Sequence, residues 1–358
     1  MFNRALMLYL YVETPLHAGT GRGIGAIDLP IQRETTTGYP TVYASSLKGR
    51  LRAEVVLALG GDEKHPTVTS IFGQAEESGA FGGALSPGDA RLLLFPVRSL
   101  AGVWAWITCP AVLQRFVRDA AALGLELPDW WAQVAGLIPL DPPAAPEKPA
   151  TDRVDAPAAA KQPTSEVALV APASKLVVGD SIVLEEISYL VRTKAAEQEL
   201  VQQLGEWLAT DALPAAGEYA SWRTRLPQQL VILSDDAFRD FVQFSTEVVT
   251  RVRLDMQTKT VVPGALWTEE HLPPESLLYA PLYVGATRQS KNGEVVNGAR
   301  EAHNAEAVAA KLQEYVPARI RLGGDETVGR GLVHVRWAGP YTPGKATKAK
   351  ETGNGPQG

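Results

Sequence analysis

The stretch Leu16-His17-Ala18-Gly19-Thr20-Gly21-Arg22-Gly23-Ile24-Gly25-Ala26-Ile27-Asp28-Leu29-Pro30 constrains this chain more than any other. Four glycines alternate through it, and a proline ends it. A glycine run that follows an apolar strand suggests a dinucleotide fingerprint, but that motif needs a helix to begin inside the run. Pro30 forbids this, because it disfavours the helical region at Leu29 and cannot sit inside a helix beyond the first turn. The stretch is therefore a loop between a strand and a later helix. Its glycines let the backbone come close to a ligand. A phosphate chain suits such a loop, and Asp28 among groups able to hold a polyanion points to chemistry on a phosphodiester rather than binding alone.

The segments around the loop read as α+β. Residues 6–12 are a continuous apolar run, hence a buried strand. Residues 45–59 set Leu47, Leu51, Val55 and Leu59 at helical spacing behind a serine cap. Residues 90–97 and 103–107 read as strands, with a helix from 110 to about 123 that carries proline at its permitted first position. Farther on, 176–191 alternates as a strand or hairpin, and 194–210 is helical. A strand over 229–233 ends at Ser234, which can cap a helix over 235–244. A strand spans 247–255, a helix 302–315, and strands over 318–322 and 331–337 flank a second glycine loop at 322–331. Residues 258–264 alternate and then turn, as in a hairpin projecting from a region of about 250–285. The proline- and alanine-rich stretch 139–173 is expected to be a flexible insertion between the parts 1–138 and 174–340, with a disordered tail over 341–358.

No apolar run is long enough to cross a bilayer, and the N-terminus enters a strand without the regions of a signal peptide, so a cytoplasmic chain with no membrane partner is expected. One cysteine, Cys109, excludes an internal disulfide and a thiolate metal cluster, and reads as a packing residue. The net charge of −6 argues against indiscriminate nucleic-acid binding. Charge is uneven, however. Residues 16–52 carry five Lys and Arg against two acids, and 315–348 carry six against two. If the two ends meet in one fold, they make a positive groove on an acidic body.

His17 and Asp28 are the acid–base candidates. An ordinary aspartate is too weak a base to take a proton from a ribose hydroxyl at pH 7, whereas histidine is poised for it. Asp28 is thus better cast as a metal ligand or positioning group, with capping of the turn before Pro30 as the bland alternative. His17 is open between catalysis, packing and holding RNA. Lys48, Arg50 and Arg52 lie beside Ser45, Ser46 and Gly49, where small residues let a helix N-terminus approach phosphate. A solvated face is their alternative. Arg22 and Arg33 flank Asp28. Gly323, Gly324 and Arg330 form a second phosphate candidate. Lys259 lies in the hairpin region. Glu269 and Glu270 are acid–base or metal candidates, equally readable as a solvated pair, and Trp267 reads as a core anchor.

Four segments resemble the backbone subunit family of the type III-B CRISPR Cmr effector, within the RAMP superfamily. They are 15–21 running into 26–33 (Ala-Ile-Asp-Leu-Pro-Ile-Gln-Arg), 44–52 (Ala-Ser-Ser-Leu-Lys-Gly-Arg-Leu-Arg), 258–275 (Thr-Lys-Thr through Gly-Ala-Leu-Trp-Thr-Glu-Glu to Leu-Pro-Pro-Glu), and 322–331 (Leu-Gly-Gly-Asp-Glu-Thr-Val-Gly-Arg-Gly). They occur in the family's order, and the resemblance is silent over 139–173. It implies a ferredoxin-like, RRM-type core sheet with inserted helical elements and a β-hairpin thumb that wedges into a guide–target duplex. It also implies guide RNA, complementary target RNA, further copies of the chain and other effector subunits as partners. The expected activity is metal-dependent endonucleolytic cleavage of target RNA at regular intervals, with magnesium or manganese as cofactor and Asp28 as the residue on which cleavage depends. Because the hairpin is far from Asp28 in sequence, neighbouring copies could build each site together. Two other readings stay open: a non-catalytic guide-binding filament subunit, and a guide-processing endoribonuclease.

Overall fold

The computed structural model describes residues 2–23, 25–73, 82–137, 167–287 and 304–341. In chain order the first elements are β1 (Phe2–Val12), β2 (Thr41–Val42), α1 (Ala44–Ala58), α2 (Pro66–Phe72), β3 (Leu85–Pro87), β4 (Ala90–Ser99), β5 (Val103–Thr108), α3 (Pro110–Leu123) and α4 (Trp130–Ala135). Then come β6 (Val167–Val170), β7 (Ser181–Leu184), β8 (Ile187–Val191), α5 (Ala195–Trp207), α6 (Ala220–Gln229), β9 (Leu230–Ile232) and α7 (Asp235–Phe244). The last are β10 (Glu247–Leu254), β11 (Val261–His271), β12 (Leu277–Gly285), α8 (Ala305–Tyr315), β13 (Arg319–Arg321) and β14 (Leu332–Tyr341). The fold is mixed α+β.

The core sheet runs β14–β1–β12–β4, every neighbouring pair antiparallel. Residues 5–12 are buried on both faces, as their unbroken apolar run requires. Both α3 and α8 pack on the β1–β12 pair, and Phe116 of α3 meets the Tyr279 ring edge-on at 5.0 Å. Pairing of β1 with β14 brings the two ends of the chain together.

From β4 the sheet continues through β5, β9, β6, β8 and β7, and a bridge from Ser99 to Leu184 returns it to β4. Six strands thus form a mixed, barrel-like ring, with β5–β9 and β6–β8 parallel. This corrects two expectations. The inserted material is not only helical, and the flexible insertion does not reach 173: Val167–Val170 is a fully buried strand between β9 and β8. A four-residue apolar run lacks the periodicity that would separate it from a linker. Residues 139–166 and 342–358, where the rest of the insertion and the tail were expected, lie outside the described residues.

The hairpin is β10–β11, a separate two-stranded sheet over 247–271. Its turn is held by Asp255, whose carboxylate accepts from the Gln257 and Thr258 amides at 2.9 and 2.8 Å. The expected bounds of about 250–285 were too long, because β12 is a core strand buried from Leu277 onward. Along the outer hairpin Val252, Leu254, Met256 and Leu266 remain exposed.

Helix α1 buries Leu47, Leu51 and Val55 as its pattern requires, but no serine caps it. The cap position is Tyr43, whose amide donates to Gln32 Oε1 at 2.6 Å while the next amide, Ala44, donates to Asp89 Oδ1 at 2.7 Å. The helix thus begins before either serine, and two distant side chains satisfy the amides at its start. Ser234 does cap α7, accepting from the Ala237 amide at 3.2 Å.

Candidate cleavage cleft and nucleic-acid interface

The loop after β1 lies along the inner end of β11. Leu16 and Leu272 exchange backbone hydrogen bonds at 2.9 Å, the Leu29 amide donates to Thr268 O at 3.0 Å, and the Glu270 amide donates to Leu29 O at 3.0 Å. The hairpin beside Asp28 therefore belongs to the same chain.

Asp28 is exposed and fixed. Its Oδ2 accepts from the Thr268 amide at 2.8 Å and from Thr268 Oγ1 at 3.0 Å, and its own amide donates to Thr268 Oγ1 at 2.9 Å. The amide of Thr268, then its hydroxyl, then the nearby Arg22 charge hold the Asp28 carboxyl below the usual aspartate range. It is a carboxylate at neutral pH. Asp28 opens on a cleft of about 510 Å³ whose walls include Arg22, Arg253, Gly264 and Trp267. Trp267 is half-buried against this cleft, not a core anchor. Arg253 escaped the sequence reading, although alternation in β10 places it on the same face as Arg251.

His17 is held two residues farther along β11. Its Nδ1 lies 2.7 Å from Glu270 O; a carbonyl only accepts, so Nδ1 carries the proton and Nε2 keeps a free lone pair. The anchor points for Asp28 and His17, Thr268 and Glu270, are roughly 7 Å apart along the strand. A Cβ at Gly19 would meet His17 Nε2 at 2.6 Å, so glycine there serves the histidine's own packing. Gly323, at φ +83°, brings the second glycine loop onto the His17 carbonyl, and the Gly324 amide donates to it at 2.8 Å.

Glu269 and Glu270 are buried at 4% and 2% exposure, which corrects the reading of a solvated pair. Glu270 Oε2 accepts from the Ile31 amide at 3.0 Å, while Oε1 accepts from Arg33 Nη2 at 2.5 Å and Thr246 Oγ1 at 2.8 Å. Arg33 also donates to Gly38 O and Val242 O, both at 2.8 Å. These groups tie the loop to the hairpin root. Glu269 accepts from Arg251 Nε at 2.8 Å and Trp267 Nε1 at 2.7 Å. Burial pushes it up, but those two hydrogen bonds and the Arg251 charge outweigh burial and hold it below the usual range. Next to it stands His271, unforeseen in the sequence, whose ring is 5.6 Å from that of His17. Burial, then the charge of Arg330, hold His271 below the usual imidazole range, so it is neutral.

The basic residues divide. A second cavity, of about 440 Å³, joins both glycine loops to α1 and is lined by Gly19, Ser46, Gly49, Arg50, Arg321 and Gly324 among others. Ser45, Lys48 and Arg52 are not part of this lining. Burial and the Arg52 charge hold Lys48 below the usual lysine range, and Arg52 reaches Gly73 O and Glu63 O at 3.4 Å. Arg330 turns away from the second loop toward Glu247, at 3.8 Å. Arg321, counted in the sequence only for its charge, takes that place in the cavity wall. Lys259 sits at the exposed hairpin turn with φ 58°. Arg319 and Arg336 do not add to a groove: Arg319 pairs with Glu13 and Glu218, and Arg336 donates to Leu213 O.

The model of the RAMP superfamily matches residues 9–334, and the CRISPR system Cmr endoribonuclease Cmr4 of Pyrococcus furiosus is 32% identical over 343 residues, covering 93% of this chain and 95% of that protein. The chain belongs to the RAMP superfamily, in its Cmr4 family. The crystal structure of oligomeric Cmr4 from Pyrococcus furiosus matches with 26% identity and a TM-score of 0.58, over 94% of this chain and 98% of that one. A chain in the cryo-EM structure of the type III-B Cmr-beta complex bound to cognate target RNA shares the fold, with 21% identity and a TM-score of 0.63 over 94% of this chain and 98% of that one. No helix among the described residues is long and apolar enough to cross a membrane.

Proposed function

We propose that this chain is a repeated backbone subunit of an RNA-guided ribonucleoprotein, that it holds guide RNA, and that it cleaves complementary target RNA beside Asp28. The observation that carries the reading is one exposed, ionised carboxylate that accepts two hydrogen bonds from Thr268 while the Asp28 amide donates a third to it, at the mouth of a cleft that also presents Arg22 and Arg253. The core order β14–β1–β12–β4, with α1 leading from β1 toward β4 and α8 from β12 toward β14, supports the ferredoxin-like topology expected of such subunits. Guide backbone lies across the cavity of Arg50, Arg321 and the two glycine loops. Exposed Val252, Leu254, Met256 and Leu266 suit the outer hairpin to wedging apart stacked nucleotides.

A splayed nucleotide can bring its 2′-hydroxyl in line with the adjacent phosphodiester, a geometry that A-form pairing denies. Asp28 orients that hydroxyl by accepting its hydrogen bond, and His17 Nε2 is the free lone pair that can take its proton. Arg22 and Arg253 offset charge developing on the phosphate. The 2′-oxygen forms the new bond to phosphorus as the bond to the 5′-oxygen breaks, and the departing 5′-oxygen takes its proton from water. A divalent ion at Asp28 would find one protein carboxylate there, and the three-ligand group among the described residues excludes Asp28. A magnesium or manganese ion held by Asp28 would take its other ligands from RNA phosphate and water, and would supply charge stabilisation at the phosphodiester.

Asp28→Asn tests the reading, since asparagine retains an acceptor for Thr268 but no charge. In the assembled complex, end-labelled complementary RNA should bind as in wild type and remain uncut at every one of the evenly spaced positions cut by wild type. Undiminished cutting would refute the proposal. Loss of assembly would return Asp28 to a turn-holding role.

A further inference from the structure

The hairpin root holds a second cluster that the cleft does not use. His271 is 0% exposed, and neither ring nitrogen has a hydrogen-bond partner among the described residues. Leaving a buried polar atom unpaired costs roughly 1–3 kcal/mol, so such an atom calls for a partner. Its Nε2 lies 3.9 Å from Glu269 Oε2 and 3.9 Å from Asp325 Oδ2, and one ligand atom from each of the three residues falls within 4.8 Å of the other two.

We infer that Glu269, His271 and Asp325 bind a first-row transition-metal dication of the zinc or manganese kind. One neutral imidazole and two carboxylates suit such ions, whereas magnesium favours oxygen ligands throughout. Ligand atoms about 2.0–2.1 Å from a tetrahedral ion stand about 3.4 Å apart, so each His271–carboxylate pair, at 3.9 Å, must contract by about half an ångström on binding, and the two carboxylates by at most about 1.4 Å. Asp325 can supply that movement, because it sits between glycines in a loop at φ 60° and is 28% exposed at its side chain. Arg251 Nε and Trp267 Nε1 already bond Glu269; ligating carboxylates ordinarily carry such outer partners, which fix their orientation. The bound ion would join the end of β11 to the second glycine loop, both of which contact His17. Metal binding here does not depend on RNA cleavage.

Tag-free, RNA-free full-length chain is stripped with a chelator and titrated with zinc chloride, and separately with manganese chloride, against a competing chromophoric chelator. One equivalent per chain should bind, and the thermal midpoint should climb with free metal. His271→Gln and Asp325→Asn should each weaken binding at least about tenfold, while Asp28→Asn keeps stoichiometry and affinity. Because Asp325 is on a partly exposed loop, its variant separates ligand loss from misfolding, and circular dichroism checks that both variants are folded. Absence of stoichiometric binding of both metals, or unchanged affinity in both folded variants, overturns the assignment. Loss of the equivalent in Asp28→Asn does so too, since it puts the ion in the cleft.

Discussion

Replacing Glu270 by glutamine separates a structural tie from a chemical group. The carboxylate is 2% exposed and accepts from the Ile31 amide, Arg33 and Thr246. Glutamine offers one carbonyl oxygen in place of two, and its amide then faces either the Ile31 N–H or the Arg33 guanidinium, donor against donor. Removing one partner of a buried ion pair costs about 3–5 kcal/mol. Arg33 keeps its bonds to Gly38 O and Val242 O and is 23% exposed at its side chain, which softens the loss. Glu270→Gln should therefore destabilise by about 2–3 kcal/mol, and Glu270→Ala, which loses every acceptor, by about 4 kcal/mol.

Urea denaturation measures this directly, with the midpoint falling and the slope unchanged. Ile31 and Arg33 follow Asp28 closely, so a loosened tie can misplace the loop; cleavage per folded complex, measured well below the melting range, should stay within about tenfold of wild type. A Glu270→Gln variant as stable as wild type within about 0.5 kcal/mol, yet with cleavage down a hundredfold or more, would refute this reasoning and make Glu270 a catalytic group.

Three further outcomes follow from the same geometry. Thr268→Val removes the hydroxyl donor but leaves the amide, the larger cause of the lowered Asp28 pKa; Asp28 then protonates at higher pH, and the acid limb of the cleavage profile should move up, short of the ordinary aspartate position. An unmoved limb would detach that limb from Asp28. Burial raises Glu275 from 4.5 to about 7, so between those values the folded state keeps a proton that the unfolded state has lost, and stability falls as pH rises through this window. Glu275→Gln, still able to accept from Trp222 Nε1, should be neutral near pH 4.5 and stabilising above pH 7, by roughly 2 kcal/mol after allowance for partial exposure; denaturation at both pH values checks it. Arg50→Ala and Arg321→Ala should each weaken guide binding regardless of sequence and lower the salt slope by ~0.7 for each phosphate no longer neutralised, while an unchanged slope removes that arginine from the guide site.

What the sequence revealed and what it hid divide by the range of the cause. Pro30 after a glycine run excludes a helix locally, Ser234 caps α7 through its own next turn, and Leu47, Leu51 and Val55 report one helix face; each needs only neighbours in the chain. The pairs that give Glu270 and Arg33 their roles span 237 residues, and the Asp28–Thr268 bonds span 240, so neither could be read from spacing. Ser45 and Ser46 look like caps, but the helix starts before them, where Gln32 and Asp89 arrive from elsewhere to hold the Tyr43 and Ala44 amides. The short buried strand β6 offers four apolar residues, too few to show a period.

The period-two geometry of β11 connects these observations. Its even positions face the loop: Thr268 holds Asp28 and the side chain of Glu270 holds Arg33. Its odd positions, Trp267, Glu269 and His271, sit opposite Arg251, Val249 and Glu247 of β10 in the pairing register, and carry the interactions with Arg251 and Asp325. A slip of one residue would exchange the two sets, sending Glu269 toward Arg33 and removing Thr268 from Asp28. The hairpin register is thus a condition for the cleft as well as for the thumb. It is pinned at the inner end, where residues 269–271 are buried, and not at the exposed turn. The outer strands can therefore be shortened in matched pairs without displacing Asp28, whereas a single-residue insertion between Trp267 and Thr268 should dismantle the cleft even though every named side chain is still present.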